Sequence, residues 1–209
     1  LEVFRRKAME KEAPELAMMA VDMGKIFRYS TKGDDFVPFE EELSIVNSYI
    51  RIQMTRFQDK LEVYYAVPEE VLKVPVMKML LQPLVENAIF HGIEPMENGG
   101  HVFIGARAEA DKVIVTIKDD GIGIEQDRLQ GIQKALTNDY YDTKEHVGLL
   151  NTQARIKLNY GEDYGLTIDS HVGDGTTVIL NLPMQPMEQG NLNDCDKVGE
   201  TDVSDIDRR

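Results

Sequence analysis

The sequence predicts an α+β protein: a two-layer α/β sandwich with a mixed sheet, preceded by a helical hairpin and followed by a polar tail. Three observations predict it. Apolar side chains recur at spacings of three and four through the first quarter of the chain. Strand-like runs rich in Val and Ile then come as adjacent pairs joined by short turns, residues 101–108 with 112–119 and residues 166–170 with 176–182. Helical stretches separate those pairs, so helices and strands alternate, while the hairpins exclude a purely parallel sheet.

Taken in order, residues 1–10 read as a helix, 11–13 as a short connection, and Pro14 as a first-turn residue of a second, antiparallel helix. Leu16, Met19, Ala20, Met23, Ile26 and Phe27 lay one apolar stripe along it. Gly33-Asp34-Asp35 breaks the pattern. Pro38 with Glu40, Glu41 and Glu42 then starts a third helix, since acidic groups suit the positive end of the helix dipole. Phe39, Leu43, Val46, Ile50, Met54 and Phe57 form its apolar face.

Residues 61–67 alternate as a strand, and 77–91 read as a helix with Pro83 at a bend or in an early turn. The first strand pair turns at Ala110-Asp111, residues 128–136 and 147–160 are helical, and the second pair turns across 171–175. Beyond Pro183 the periodicity stops. Residues 184–209 carry seven acidic side chains against Lys197, Arg208 and Arg209, the composition of a mobile tail. The chain divides accordingly into a helical stub over 1–33, a globular domain over 34–183 and an acidic tail over 184–209.

A chain of 209 residues suffices for one core and a helical appendage. Its 42% hydrophobic and 29% charged residues are ordinary for a globular protein. With 37 acidic against 23 basic residues, the net charge of -14 repels nucleic acid, which is excluded as a partner. The single cysteine, Cys195, allows no intramolecular disulfide and no cysteine metal cluster, which suits a reducing cytoplasm. No apolar run reaches the roughly 18 residues of a membrane span, and no charged leader precedes an apolar segment. The composition fits a cytoplasmic piece of a membrane protein equally well.

Chemistry concentrates at residues 118–124, Lys-Asp-Asp-Gly-Ile-Gly-Ile, directly after a strand. Asp119 at the strand end is a fixed acceptor that would suit an adenine amino group, and Gly121 and Gly123 let the backbone turn and approach a ligand closely. The same residues also make an ordinary strand-ending turn. Upstream, Asn87 and His91 lie four apart on one face of an apolar helix. The Asn87 amide could hold a magnesium ion through its oxygen or satisfy a backbone group in the core. Downstream, Gly148 and Leu149 open a helix and residues 173–177, Gly-Asp-Gly-Thr-Thr, precede the last strand. Glycines beside a helix start offer amides to phosphates, and equally make a cap and a hairpin turn.

The order of these four elements resembles the N, G1, G2 and G3 boxes of the Bergerat, or GHKL, ATP-binding fold. More narrowly, Gln82-Pro83-Leu84-Val85-Glu86-Asn87-Ala88 with His91-Gly92, Gly148-Leu149 with Asn151, and Arg155 look like sensor histidine kinases of the LytS and YesM type. The resemblance implies an ATP-binding catalytic domain that transfers the γ-phosphoryl of ATP to a histidine and thence to a response regulator receiver domain. It implies ATP and Mg2+ as cofactors, with Asn87 holding the metal and Asp119 the adenine. Gly123 admits the ring, Thr176 or Thr177 supports the contact, and residues 126–146 form a lid over the triphosphate, with the helix entrance at Gly148 and Leu149 supplying amides.

Two positions depart from the family pattern. Phe90 stands where many relatives are basic, and His146 where the fuller pattern has glycine; His91 or Lys144 is the candidate for the missing positive charge. The phosphoaccepting Asn-Pro-His-Phe motif of these relatives does not occur, and His91, His101, His146 and His171 all fall in the expected ATP domain. Leu1 is therefore read as beginning just beyond that motif, in a fragment that should not phosphorylate itself. Homodimerisation through the N-terminal helices and a place on the cytoplasmic side of a bacterial membrane sensor follow from the same resemblance. Within the fold, ATP-driven clamps place a hydrolytic carboxylate one turn before the asparagine, where this chain has Pro83. A non-catalytic interaction module is the remaining alternative.

Overall fold

A computed structural model describes residues 1–57, 60–137 and 147–185. The acidic tail beyond 185 and the stretch 138–146, which contains Lys144, His146 and part of the expected lid, lie outside the described residues. Two helices, α1 (Glu2–Glu10) and α2 (Pro14–Thr31), form the expected hairpin, with Pro14 in the first turn of α2. The expected apolar stripe of α2 is buried only in part, at Ala20 and, half-buried, at Met19 and Ile26. Leu16, Met23 and Phe27 are exposed, and Ala17, Asp22 and Gly24 face inward beside Ala20.

Pro38 ends a short strand, β1 (Phe36–Pro38), and helix α3 (Phe39–Phe57) starts one residue later than the sequence suggested. Its apolar face is buried as expected, and it also buries Glu42 and Ser48. Strand β2 (Leu61–Ala66) and a single-turn helix α4 (Glu69–Leu72) follow, then β3 (Pro75–Met77), which pairs antiparallel with β1.

The expected helix over 77–91 is a composite. Helix α5 (Gln82–Asn87) begins only at Gln82 with Pro83 in its first turn, and Ala88–Ile93 continue as a π-helix closed by the Glu94 amide on the Ile89 carbonyl at 2.8 Å. The reason lies at 77–81, where tertiary partners replace helical hydrogen bonds. Met77 N–H donates to the Tyr160 hydroxyl at 2.9 Å and Lys78 N–H to the Asp35 carbonyl at 2.9 Å. Glu42 takes the next three amides, those of Met79, Leu80 and Leu81, at 2.6, 2.9 and 3.1 Å. Met79 sits at φ 55°, a left-handed conformation that would interrupt any helix.

The main sheet orders its five strands β2-β4-β5-β7-β6, from β4 (Gly100–Glu109), β5 (Lys112–Asp119), β6 (Gly165–His171) and β7 (Gly175–Pro183). Strand β2 runs parallel to β4 and the remaining neighbours are antiparallel, so the sheet is mixed as expected. Alternation places Val102, Ile104, Val113, Val115, Ile117, Ile168 and Leu180 on one buried face. Against it pack α3, α5, the π-helix, α6 (Gln126–Thr137) and α7 (Val147–Tyr160). Phe103 and Lys118 stand on the opposite, solvated face. This is a two-layer α+β sandwich.

Candidate functional site

Between the two layers, at the exit of β5, lies a cavity of about 210 Å³. Ile117, Ile168 and Val178 from the sheet and Leu84, Ile132 and Leu149 from the helices make its apolar walls. Its polar groups are few: Asn87, His91, Asp119, Arg128 and Thr176. Apolar walls with a small number of fixed polar atoms suit a flat heterocycle.

Asp119 is the deepest of these groups, 3% exposed. Its Oδ1 accepts the amides of Gly121 at 3.0 Å and Thr176 at 3.2 Å. Burial pushes its carboxyl up to about 6, against the pull of those amides and with some help from the charge of Asp120. Glycines let the chain close around it. A Cβ on Gly92 would lie 2.5 Å from Asp119 Oδ1, and one on Gly121 only 2.3 Å from the Gly92 backbone. Gly121 therefore serves the packing of β5 onto the π-helix and does not line the cavity. Gly123 does line it, at φ +69°, and a Cβ there would meet the His171 carbonyl at 2.0 Å.

Asp120 points elsewhere. It accepts the His101 amide and meets His101 Nδ1, both at 2.6 Å. Burial would raise its carboxyl, but the His101 contacts outweigh that and hold it below the usual range, while His101 is raised in turn by Asp120. This pair stiffens the turn from outside the cavity.

Asn87, Phe90 and His91 form a wall shared with a second, more open hollow that Pro83, Glu86 and Gly148 complete. Gly148 stands in the first turn of α7, and a Cβ there would be 3.8 Å from Asn87 Nδ2. The N-terminal end of α7, where the helix amides point outward, thus faces the Asn87 side chain. His91 is exposed, at the rim. Thr176 lines the cavity while Thr177, next along β7, pairs with Lys118 and Asp169 on the solvated face. Of the residues that the motifs indicated, Asn87, His91, Asp119, Gly123, Leu149 and Thr176 meet at the cavity, Gly148 at the adjoining hollow, and Gly121 and Thr177 at neither.

Two residues escaped the sequence reading. Arg128 brings a cation to the cavity wall. Its spacing of four from both Ile124 and Ile132 was the available signal. Ser170 joins the three segments around Asp119: its hydroxyl oxygen accepts the Ile124 amide at 2.9 Å, donates to the Gly175 carbonyl at 2.8 Å and lies 3.0 Å from Thr176 Oγ1. A serine on the inward side of Leu166 and Ile168 was its only trace in the sequence.

Comparisons with known proteins fit this geometry. Residues 74–186 match the family described as "Histidine kinase-, DNA gyrase B-, and HSP90-like ATPase", and residues 1–61 match the family described as "Histidine kinase". The chain is similar to sensor protein kinase HptS of Staphylococcus aureus strain USA300, 32% identical over 183 residues, 87% of this chain and 34% of that protein. It spans about a third of the length of the curated relatives it matches. Among solved structures it is similar to the catalytic domain of histidine kinase ThkA, with TM-score 0.55 and 16% identity over 72% of this chain and 97% of that one. It is also similar to the histidine kinase domain of the Erythrobacter litoralis blue-light activated kinase EL346, with TM-score 0.52 and 14% identity over 86% of this chain and 80% of that one. At such identities the structural likeness bears on the fold alone.

Proposed function

The chain belongs to the histidine kinase-, DNA gyrase B- and HSP90-like ATPases, and we propose that it is the catalytic domain of a sensor histidine kinase whose cavity binds Mg-ATP for phosphoryl transfer. The acceptor is a histidine on a dimerisation helix outside these 209 residues, and the phosphoryl group passes from there to a response regulator. The observation that carries this reading is the buried Asp119 carboxylate at the base of an apolar cavity. Such a group has reason to be buried if a ligand donates to it, and the adenine amino group is such a donor.

The site suits each part of the nucleotide. At about 210 Å³ the enclosed cavity is sized for the base, and the open hollow past Asn87 is where the phosphates would extend. The Asn87 side-chain oxygen is a hard, neutral donor of the kind that magnesium accepts alongside phosphate oxygens. When bound, the metal neutralises phosphate charge during transfer. The start of α7 at Gly148 offers amides to the same phosphates, and His91 at the rim or Arg128 in the wall supplies positive charge. Thr176 orders the base side of the cavity through its amide on Asp119. Hydrolysis by a clamp-type ATPase lacks its carboxylate, since Pro83 occupies that turn.

Residues 1–33 read as the remainder of dimerisation helices and 34–183 as the catalytic domain. The exposed Phe4 and Phe27 on α1 and α2 support pairing of two copies through these helices in the whole protein. No helix among the described residues is long and apolar enough to cross a membrane. The proposed setting is the cytoplasmic side of a membrane sensor. Titration of Mg-ATP into the chain, followed by the thermal midpoint, tests the reading: a rise of several degrees is expected, and none in the Asp119→Asn variant. No shift with the parent chain overturns it.

A further inference from the structure

The segment that the sequence mistook for helix, residues 77–81, is held from outside on both its donor and acceptor edges. On the donor edge, Glu42 accepts Met79, Leu80 and Leu81. On the acceptor edge, Arg155 of α7 donates to the Lys78 and Met79 carbonyls. Helix α5, which carries Asn87, leaves this segment within one residue, so the segment sets where α5 begins. Glu42 is 1% exposed, and a buried carboxylate with three amide donors is rigidly placed.

Glu42 has a fourth partner. The Tyr29 hydroxyl of α2 donates to Oε1, the same oxygen that accepts Met79 N–H. Lys78, in the gripped segment, reaches back to α2: its ammonium donates to the Lys32 carbonyl and lies 4.7 Å from the Tyr29 ring centroid. The last turn of α2 and the first residues before α5 therefore share one carboxylate and one lysine.

Elsewhere α2 meets α3 through small and polar side chains. Its inward residues Ala17 and Ala20 are small, and among the described residues Ile26 is the α2 side chain that packs against the main core. Its other ties to α3 are polar, Asp22 to Arg51 and Lys25 to Ser44. Little apolar area opposes a sliding of α2 along α3, the small shear motion that packed helices permit. The Tyr29–Glu42 contact would register such a slide at once, because a hydrogen bond fails within a fraction of an ångström to one ångström.

We propose that Glu42 is a positioning residue that transmits the placement of α2 to Asn87, with Tyr29 as the input and the amides of Met79–Leu81 as the output. Withdrawal of the Tyr29 hydroxyl loosens Oε1 and the Met79 amide, shifts the start of α5 and moves the Asn87 amide. The consequence for metal-nucleotide affinity rests on the Mg-ATP reading above; the mechanical coupling does not.

The experiment uses the whole chain with labelled backbone and side-chain amides, and compares the parent with Tyr29→Phe and Glu42→Gln. Without nucleotide, Tyr29→Phe should speed hydrogen exchange of the Met79, Leu80 and Leu81 amides and displace the Asn87 side-chain resonance, with the thermal midpoint lowered by a few degrees. Glu42→Gln, which replaces one acceptor by a donor, should do both more strongly. Calorimetry should show Mg-ATP weakened by about fivefold in Tyr29→Phe, the low end of coupling between sites, with adenosine affinity unchanged because Asp119 is not displaced. Unaltered exchange and an unmoved Asn87 resonance in Tyr29→Phe overturn the relay. Equal weakening of Mg-ATP and adenosine also overturns it, since that marks general loosening. If the parent binds neither ligand, the nucleotide reading falls, and the exchange and Asn87 measurements still decide the coupling.

Discussion

Asp119 Oδ1 accepts the backbone amide of Thr176 at 3.2 Å, so the end of β5 and the start of β7 are joined through the side chain at the base of the cavity. The proposed binding and the local architecture thus depend on one carboxylate. Burial raises that carboxyl to about 6. Mg-ATP affinity should be level above pH 7 and fall roughly tenfold per unit below pH 6, as the protonated acid stops accepting the adenine amino group. Asp119→Asn should bind weakly with a flat profile; calorimetry from about one unit below that value to about two above it checks both.

The same shift has a sign for stability. Asp119 holds its proton more tightly in the folded chain than at the ordinary carboxylate value of 3.8. Its contribution therefore favours the nucleotide-free fold at low pH and declines as pH rises from about 4 to about 6. Across that window the unfolding free energy of the parent should decline relative to that of Asp119→Asn. Urea unfolding at several pH values measures the difference, and a parent that gains on the variant instead would contradict it.

Asn87→Ala removes the proposed metal contact and leaves Asp119 in place. The ratio of ATP affinity with magnesium to that with chelator should collapse toward one, while adenosine binding stays at the parent value. Isothermal titration in the two buffers reads this directly.

Glycine positions separate close packing from open surface. A Cβ on Gly121 would meet the Gly92 backbone at 2.3 to 2.4 Å, so Gly121→Ala should cost more than about 1 kcal/mol. Gly131, in the middle of α6, has nothing within 4 Å of its added Cβ. Gly131→Ala should stabilise by about 0.5 to 1 kcal/mol through helix propensity. Chemical denaturation of both variants is the measurement.

Arg155→Ala leaves the Lys78 and Met79 carbonyls without their guanidinium donor. A loss of about 1 to 3 kcal/mol is expected for charge-assisted bonds of this kind. The denaturation midpoint should fall, with ATP affinity falling alongside it as the entrance to α5 relaxes.

The sheet was legible because Val113, Val115 and Ile117 alternate with half-exposed neighbours and Ala110-Asp111 supplies a turn. Helices α3, α6 and α7 were legible for the same reason, a periodicity that one buried face imposes. Asp119, Asn87 and Thr176 could be singled out because polar residues beside glycines or on apolar stretches stand out in a linear reading.

What remained hidden depended on partners distant in sequence. Residues 77–81 have helical composition, and they are not helical because Glu42, Tyr160 and Asp35 take their amides and Arg155 their carbonyls. The choice between Thr176 and Thr177 needed the register of β7 against β5, which assigns each its face. The sequence by itself determined the order of the long helices and of the five strands of the main sheet, and which polar residues break the apolar pattern; β1, α4 and β3 were visible only in the structure. Tertiary structure alone decided which of them meet, because a backbone amide takes whichever acceptor the packed fold brings within about 3 Å.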